Sequence, residues 1–157
     1  MTPPHLILLL VHVLSAAMLF GTGAGIAFFM LLAHRTHDAR TIAAVSRMVV
    51  VADFVFTASA VVVQPLSGAG LIAVAGWRWD EPWIEAAFAL YLFTGACWLP
   101  VVWMQMRMHR LAEAAAKASE PLPPAYHRLF RWWFALGFPA FAAVIAIYAL
   151  MLAKPSF

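Results

Sequence analysis

Charge is scarce in this sequence. Of its 157 residues only 11% are Asp, Glu, Lys or Arg, against 65% that are hydrophobic. A soluble domain carries roughly 25% charged residues, so a chain this poor in them is built to meet an apolar solvent. Cysteine is nearly absent as well. The single Cys97 lies in an apolar run, which excludes an internal disulfide and a cysteine-based zinc site. No lysine or arginine precedes the first apolar stretch, and that stretch far exceeds the roughly 7–15 residues of a signal-peptide core. It reads as a retained helix. Phosphate-binding loops, nucleophile elbows, paired carboxylates and the zinc-protease helix are also missing. Nucleic acid is not among the expected partners.

Long apolar runs are what the chain does have. Residues 6–32, 48–75, 84–106 and 129–152 each exceed the roughly 20 residues that cross ~30 Å of hydrocarbon. Backbone groups in lipid must be satisfied within their own segment, so these runs are helices. The expected fold is all-α: one transmembrane domain over residues 1–157, a four-helix bundle. Residues 107–119 (RMHRLAEAAAKAS) contain good helix formers and no breaker. Helix three is therefore expected to run on to 119, roughly 20 Å into the cytoplasm. Pro121, Pro123 and Pro124 then end it.

Positive charge is placed unevenly. Arg35, Arg40 and Arg47 lie between runs one and two, and Arg107, Arg110, Lys117 and Arg128 between runs three and four. The middle connection has Arg78 against Asp80 and Glu81, and only Lys154 follows the last run. The positive-inside rule puts both basic loops in the cytoplasm and both termini in the periplasm of a bacterial inner membrane. Trp77, Trp79 and Trp83 then mark the outer interface, and Trp132 and Trp133 the inner one.

Function has to be sought among the few polar groups at membrane depth, which are costly unless they face other helices or a ligand. In helix one, His5, His12, Ser15 and Thr22 fall close to one face. Gly21, Gly23 and Gly25 follow, and small residues admit a neighbouring helix or a flat ligand. In helix two, Asp53, Thr57, Ala60, Gln64 and Ser67 are spaced by four, three, four and three residues. That spacing puts them on one face, turned toward the bundle. The stripe reads either as inter-helix glue, with Asp53 paired to Arg131 or Arg107, or as a proton or ligand route. Helix three adds Tyr91, Thr94, Trp98 and Gln105. At its inner end Met104, Met108 and His109 form a soft-ligand set able to hold Cu(I), although methionine is also common core filler. His127, Arg128 and Arg131 open helix four. These arginines, with Arg47, are interfacial anchors or captors of an anion such as a propionate.

Four stretches carry a family likeness: LLLVHVLSAAMLFGTGAGIAFFMLLAHR, VVVADFVFTASAVVVQPLSGAGL, ALYLFTGACWLPVVWMQMRM and PLPPAYHRLFRWWFALGFPAFAAVIAIYALMLAKP. Together they resemble a bacterial family of predicted integral membrane proteins, domain of unknown function 2269. More distantly, helix one is similar to the opening helix of HemJ-type protoporphyrinogen oxidases and of CopD-type copper-resistance proteins. It shares the early histidine, the glycine-rich middle and a second histidine beyond the inner end. That likeness implies haem b, with His12 as axial ligand and His34 as the flanking histidine. The leading expectation is thus a small inner-membrane redox protein that binds haem through His12. Two others stand beside it: a proton-linked transporter using the Asp53–Gln64 stripe, and an accessory subunit, or homodimer, docking through Gly21 and Gly25.

Overall fold

The computed structural model describes residues 2–155. The first helix, α1 (Pro3–Arg35), carries proline in its first turn, where a missing N–H costs nothing. The chain turns through His37, in the left-handed region at φ 54°, into Asp38. The Asp38 carboxylate accepts from the Thr41 amide at 2.8 Å and the Thr41 hydroxyl at 2.6 Å, and so starts α2 (Ala39–Ala52). A π turn over Asp53–Thr57 joins α2 to α3 (Ala58–Ala75) without a break in the rod. Gly76, at φ 71°, ends that rod in the left-handed cap that glycine adopts without strain. Then come α4 (Pro82–Ala118) and α5 (Pro124–Ala153), each opened by a proline. All four rods are long and apolar enough to span a membrane, and among the described residues there is no strand.

The second rod begins at Ala39 rather than at 48, where the apolar run begins. Residues 39–47 are too polar for the hydrocarbon, but they are good helix material with a capping aspartate in front. The consequence concerns the extension of helix three. It is not a lone spur, because α2 runs beside it. Ile42 from α2, Met108 and Ala112 from α4, and Tyr126 and Phe130 from α5 are buried in one apolar cluster. Met30 and Ala33 from the end of α1 complete it. The core of the protein therefore sits in the half that carries the basic loops, called the basic end below.

Toward the end that holds both termini, α1 lies along α3 and α4 along α5, while α3 and α4 stand further apart. Large side chains bridge that gap. Ile72 of α3 meets Trp83 and Ile84 of α4, with Trp77, Leu150 and Met151 packed around them. The Lys154 ammonium lies 4.3 Å over the Trp77 ring. Outward-facing Ile7, Phe28, Phe29, Leu66, Leu99, Phe138 and Leu152 give the bundle an apolar jacket that only lipid can solvate.

Candidate functional site

Two hydrogen-bonded polar clusters lie inside the bundle, and helix two contributes to both. The first is in the terminal half. Ser67 Oγ is 2.9 Å from His12 Nδ1, and the Gln64 Nε2 amide is 3.2 Å from His12 Nε2. Ser15 donates to Gln64 Oε1 and lies 3.1 Å from the His12 carbonyl. Ser67 and Gln64 are three residues apart and Ser15 is three from His12, so each pair presents neighbouring positions of one helix face. Close backbone approach makes this possible. A Cβ built on Gly68 would stand 3.3 Å from His12 Cε1.

The second cluster belongs to the basic half. Asp53 is 3% exposed. The Trp98 indole N–H donates to its Oδ1 at 3.2 Å. With the Gln105 amide turned to suit its neighbours, Nε2 donates to Asp53 Oδ2 at 2.8 Å and Oε1 accepts from Trp133 Nε1 at 3.3 Å. Asp53 forms no ion pair. Among the described residues the salt bridges are Arg78–Asp80 and Lys117–Glu113, both on the surface. The pairing of Asp53 with Arg131 or Arg107 is thus corrected. Neutral donors on α4 reach the carboxyl instead, while Arg131 points to the surface.

Thr57 ends the π turn with a buried hydroxyl that has no partner, between the two clusters. The turn itself comes from one lengthened step, in which the Ala58 amide bonds back five residues to Asp53. Further along α3, Pro65 cannot supply an N–H to the Val61 carbonyl. The Tyr91 hydroxyl donates to that carbonyl in its place.

Other candidate residues are not brought together. His34 lies 22 residues beyond His12 on a single helix, roughly 33 Å away. Arg47 and Arg131 are exposed at the basic end, so neither reaches His12. Met104 and Met108 are buried in the apolar core, and His109 Nδ1 is 3.1 Å from Ser46 Oγ. No group of three His, Cys, Asp or Glu among the described residues is able to hold a metal ion. Gly21 and Gly25 have open space where a Cβ would stand, so neither glycine makes a close helix contact within its own chain. Ser46 and the role of Trp133 are absent from the sequence reading. Trp133 had a signal: it follows Tyr126 and Phe130 by seven and three residues, on the face that α5 buries.

His12 as placed does not fit an axial haem ligand. Both of its ring nitrogens are engaged, and the α3 backbone at Gly68 closes on the ring edge. A model of the family described as predicted integral membrane protein (DUF2269) matches residues 6–155. Neither a curated protein nor a solved structure matches the chain.

Proposed function

We propose, given that the chain belongs to the family of predicted integral membrane proteins DUF2269, that it is a proton-linked transporter of the bacterial inner membrane. One observation carries this reading. Asp53 is a buried carboxyl at membrane depth, held by neutral donors and facing no cation within ion-pair distance. A structural aspartate in such a place is normally neutralised by a lysine or arginine. A carboxyl left unpaired among donors is suited to take up and release a proton, one of the uses to which intramembrane acids are put.

The surroundings support a route. Thr57 stands one turn from Asp53 on the same rod, and the His12–Gln64–Ser67 cluster lies beyond it on the terminal side. From Thr57 to Gln64 is seven residues, roughly 10 Å without an intervening polar side chain on the stripe. Such an interrupted column suits exchange at the two ends in turn, with the π turn as the joint that moves. By the positive-inside rule, Asp53 exchanges with the cytoplasm and His12 with the periplasm.

Proteoliposomes containing a pH-sensitive dye test the reading. The wild type is expected to speed the collapse of an imposed proton gradient, and Asp53→Asn to return it to the rate of empty liposomes. Unchanged flux in Asp53→Asn refutes the proposal. The haem that the HemJ-type likeness implies would require His12 to break its bond with Gln64. A Soret band in the purified protein, bleached by His12→Ala, would put a haem-binding redox function in place of transport.

A further inference from the structure

Three histidines converge at the basic end, away from both polar clusters. The His34 ring lies flat on Phe130, with centroids 3.7 Å apart and planes 9° from parallel. It stacks with Tyr126 at 5.8 Å, and has His127 at 5.8 Å and His37 at 6.1 Å. His34 Nδ1 is buried without a hydrogen-bond partner, and so is the hydroxyl of Tyr126, a residue that is 0% exposed. No carboxylate forms an ion pair with any of the three imidazoles among the described residues. The nearest one in sequence, Asp38, is engaged in capping α2. Among the apolar side chains of the same cluster are Ile42 from α2, and Met108 and Ala112 from α4. The titratable rings facing His34 are His37 from the connection, and Tyr126 and His127 from α5.

We propose that His34 is a proton-operated latch, which docks the end of α1 and the following turn onto α5 while uncharged and releases them when charged. A neutral imidazole matches this seat. One of its nitrogens needs no acceptor, and its face packs on a phenyl ring as another aromatic would. A charged imidazole does not match. It has two donors, one of which would be buried with nothing to accept it. It would also stand about 6 Å from two further imidazoles, either of which repels it when charged. The attraction of a cation for the Phe130 face works the other way, but it gives the buried Nδ1 donor no acceptor. His37 adds to the readiness of the turn to move, since a non-glycine residue at φ 54° is strained there. The latch is independent of any transport by Asp53.

Hydrogen exchange of the protein in nanodiscs tests it, followed over residues 34–38 and corrected for intrinsic pH dependence. The wild type is expected to lose about tenfold in protection between pH 7.5 and pH 5, the effect of one unit of coupling. In His34→Phe the stack remains and the charge is gone, so protection is expected to be the same at both values. Tyr126→Phe should keep the wild-type response. His127→Gln removes a neighbouring imidazole and should move the transition to higher pH, which also serves if His34→Phe does not fold. A wild type without pH dependence overturns the proposal. So does a His34→Phe variant that keeps the dependence, or a transition that His127→Gln leaves in place.

Discussion

Single atoms decide how tightly the polar interior is held. His12 is held from both ring nitrogens and has the Gly68 backbone close to its ring edge. A methyl group at Gly68 would stand 3.3 Å from Cε1 and could be admitted only by stretching one of those bonds. Gly68→Ala is therefore expected to destabilise the protein by about 1 kcal/mol, at the low end for overpacking. Gly21 has nothing within 4 Å of its missing Cβ. Gly21→Ala should leave stability unchanged or raise it by roughly 0.5–1 kcal/mol, the helix preference of alanine over glycine. Thermal unfolding of both variants in one detergent compares them directly. Equal losses would show that the close approach at His12 has no energetic consequence.

One helix interruption in this protein is repaired from outside the helix. Pro65 takes an N–H away from the Val61 carbonyl, and the Tyr91 hydroxyl on α4 makes good the loss. Tyr91→Phe should cost about 1–3 kcal/mol by leaving that carbonyl unsatisfied in an apolar surrounding. In a Pro65→Ala background the carbonyl regains its own helical partner, and the same change should cost much less. A double-mutant cycle on stability reads the coupling, and a value near zero would remove the Tyr91 repair. At the other end of the rod, Asp38 caps α2 outside the apolar spans. Its bonds to the Thr41 hydroxyl and then the Thr41 amide hold its carboxyl below the usual carboxylate range. A depressed value means that the cap is fully effective above the ordinary aspartate value of about 3.9 and is lost as pH falls through the lowered one. Amide exchange at residues 39–42 should accelerate only in that acid window, whereas in Asp38→Ala it should be fast throughout.

Across the whole molecule the burial is lopsided. The basic end is a packed core in which α2, α4 and α5 join the end of α1. The terminal half is looser, with α3 and α4 bridged by side chains rather than pressed together. On the proposed transport function, the movable part would be drawn from the less stable region, so the terminal half is where opening is expected. By the positive-inside rule that opening would face the periplasm. A reporter enzyme active only in the periplasm should work when fused after residue 155 and fail when fused in the 119–123 connection. The reverse pattern would invert the orientation and with it the order of proton exchange.

Sequence by itself determined the four spans, because hydrocarbon of fixed thickness leaves length and apolarity as the only requirements. It also determined that helix two buries its polar stripe, since Asp53, Thr57, Gln64 and Ser67 recur at helical spacing whatever packs against them. The extra length of α2 was written in the Asp38 cap, but an apolar-run criterion does not see it. Tertiary structure alone decided the partners. Sequence spacing fixes a face but not what lies opposite, and so it left Asp53 as suited to an arginine as to Trp98 and Gln105. The engagement of His12 by Ser67 and Gln64 required α1 and α3 to close to within reach of Gly68. Meeting across helices depends on rotation and depth, which no one helix specifies. For the same reason His34, on the same helix as His12, finds its stacking partners, Phe130 and Tyr126, on another.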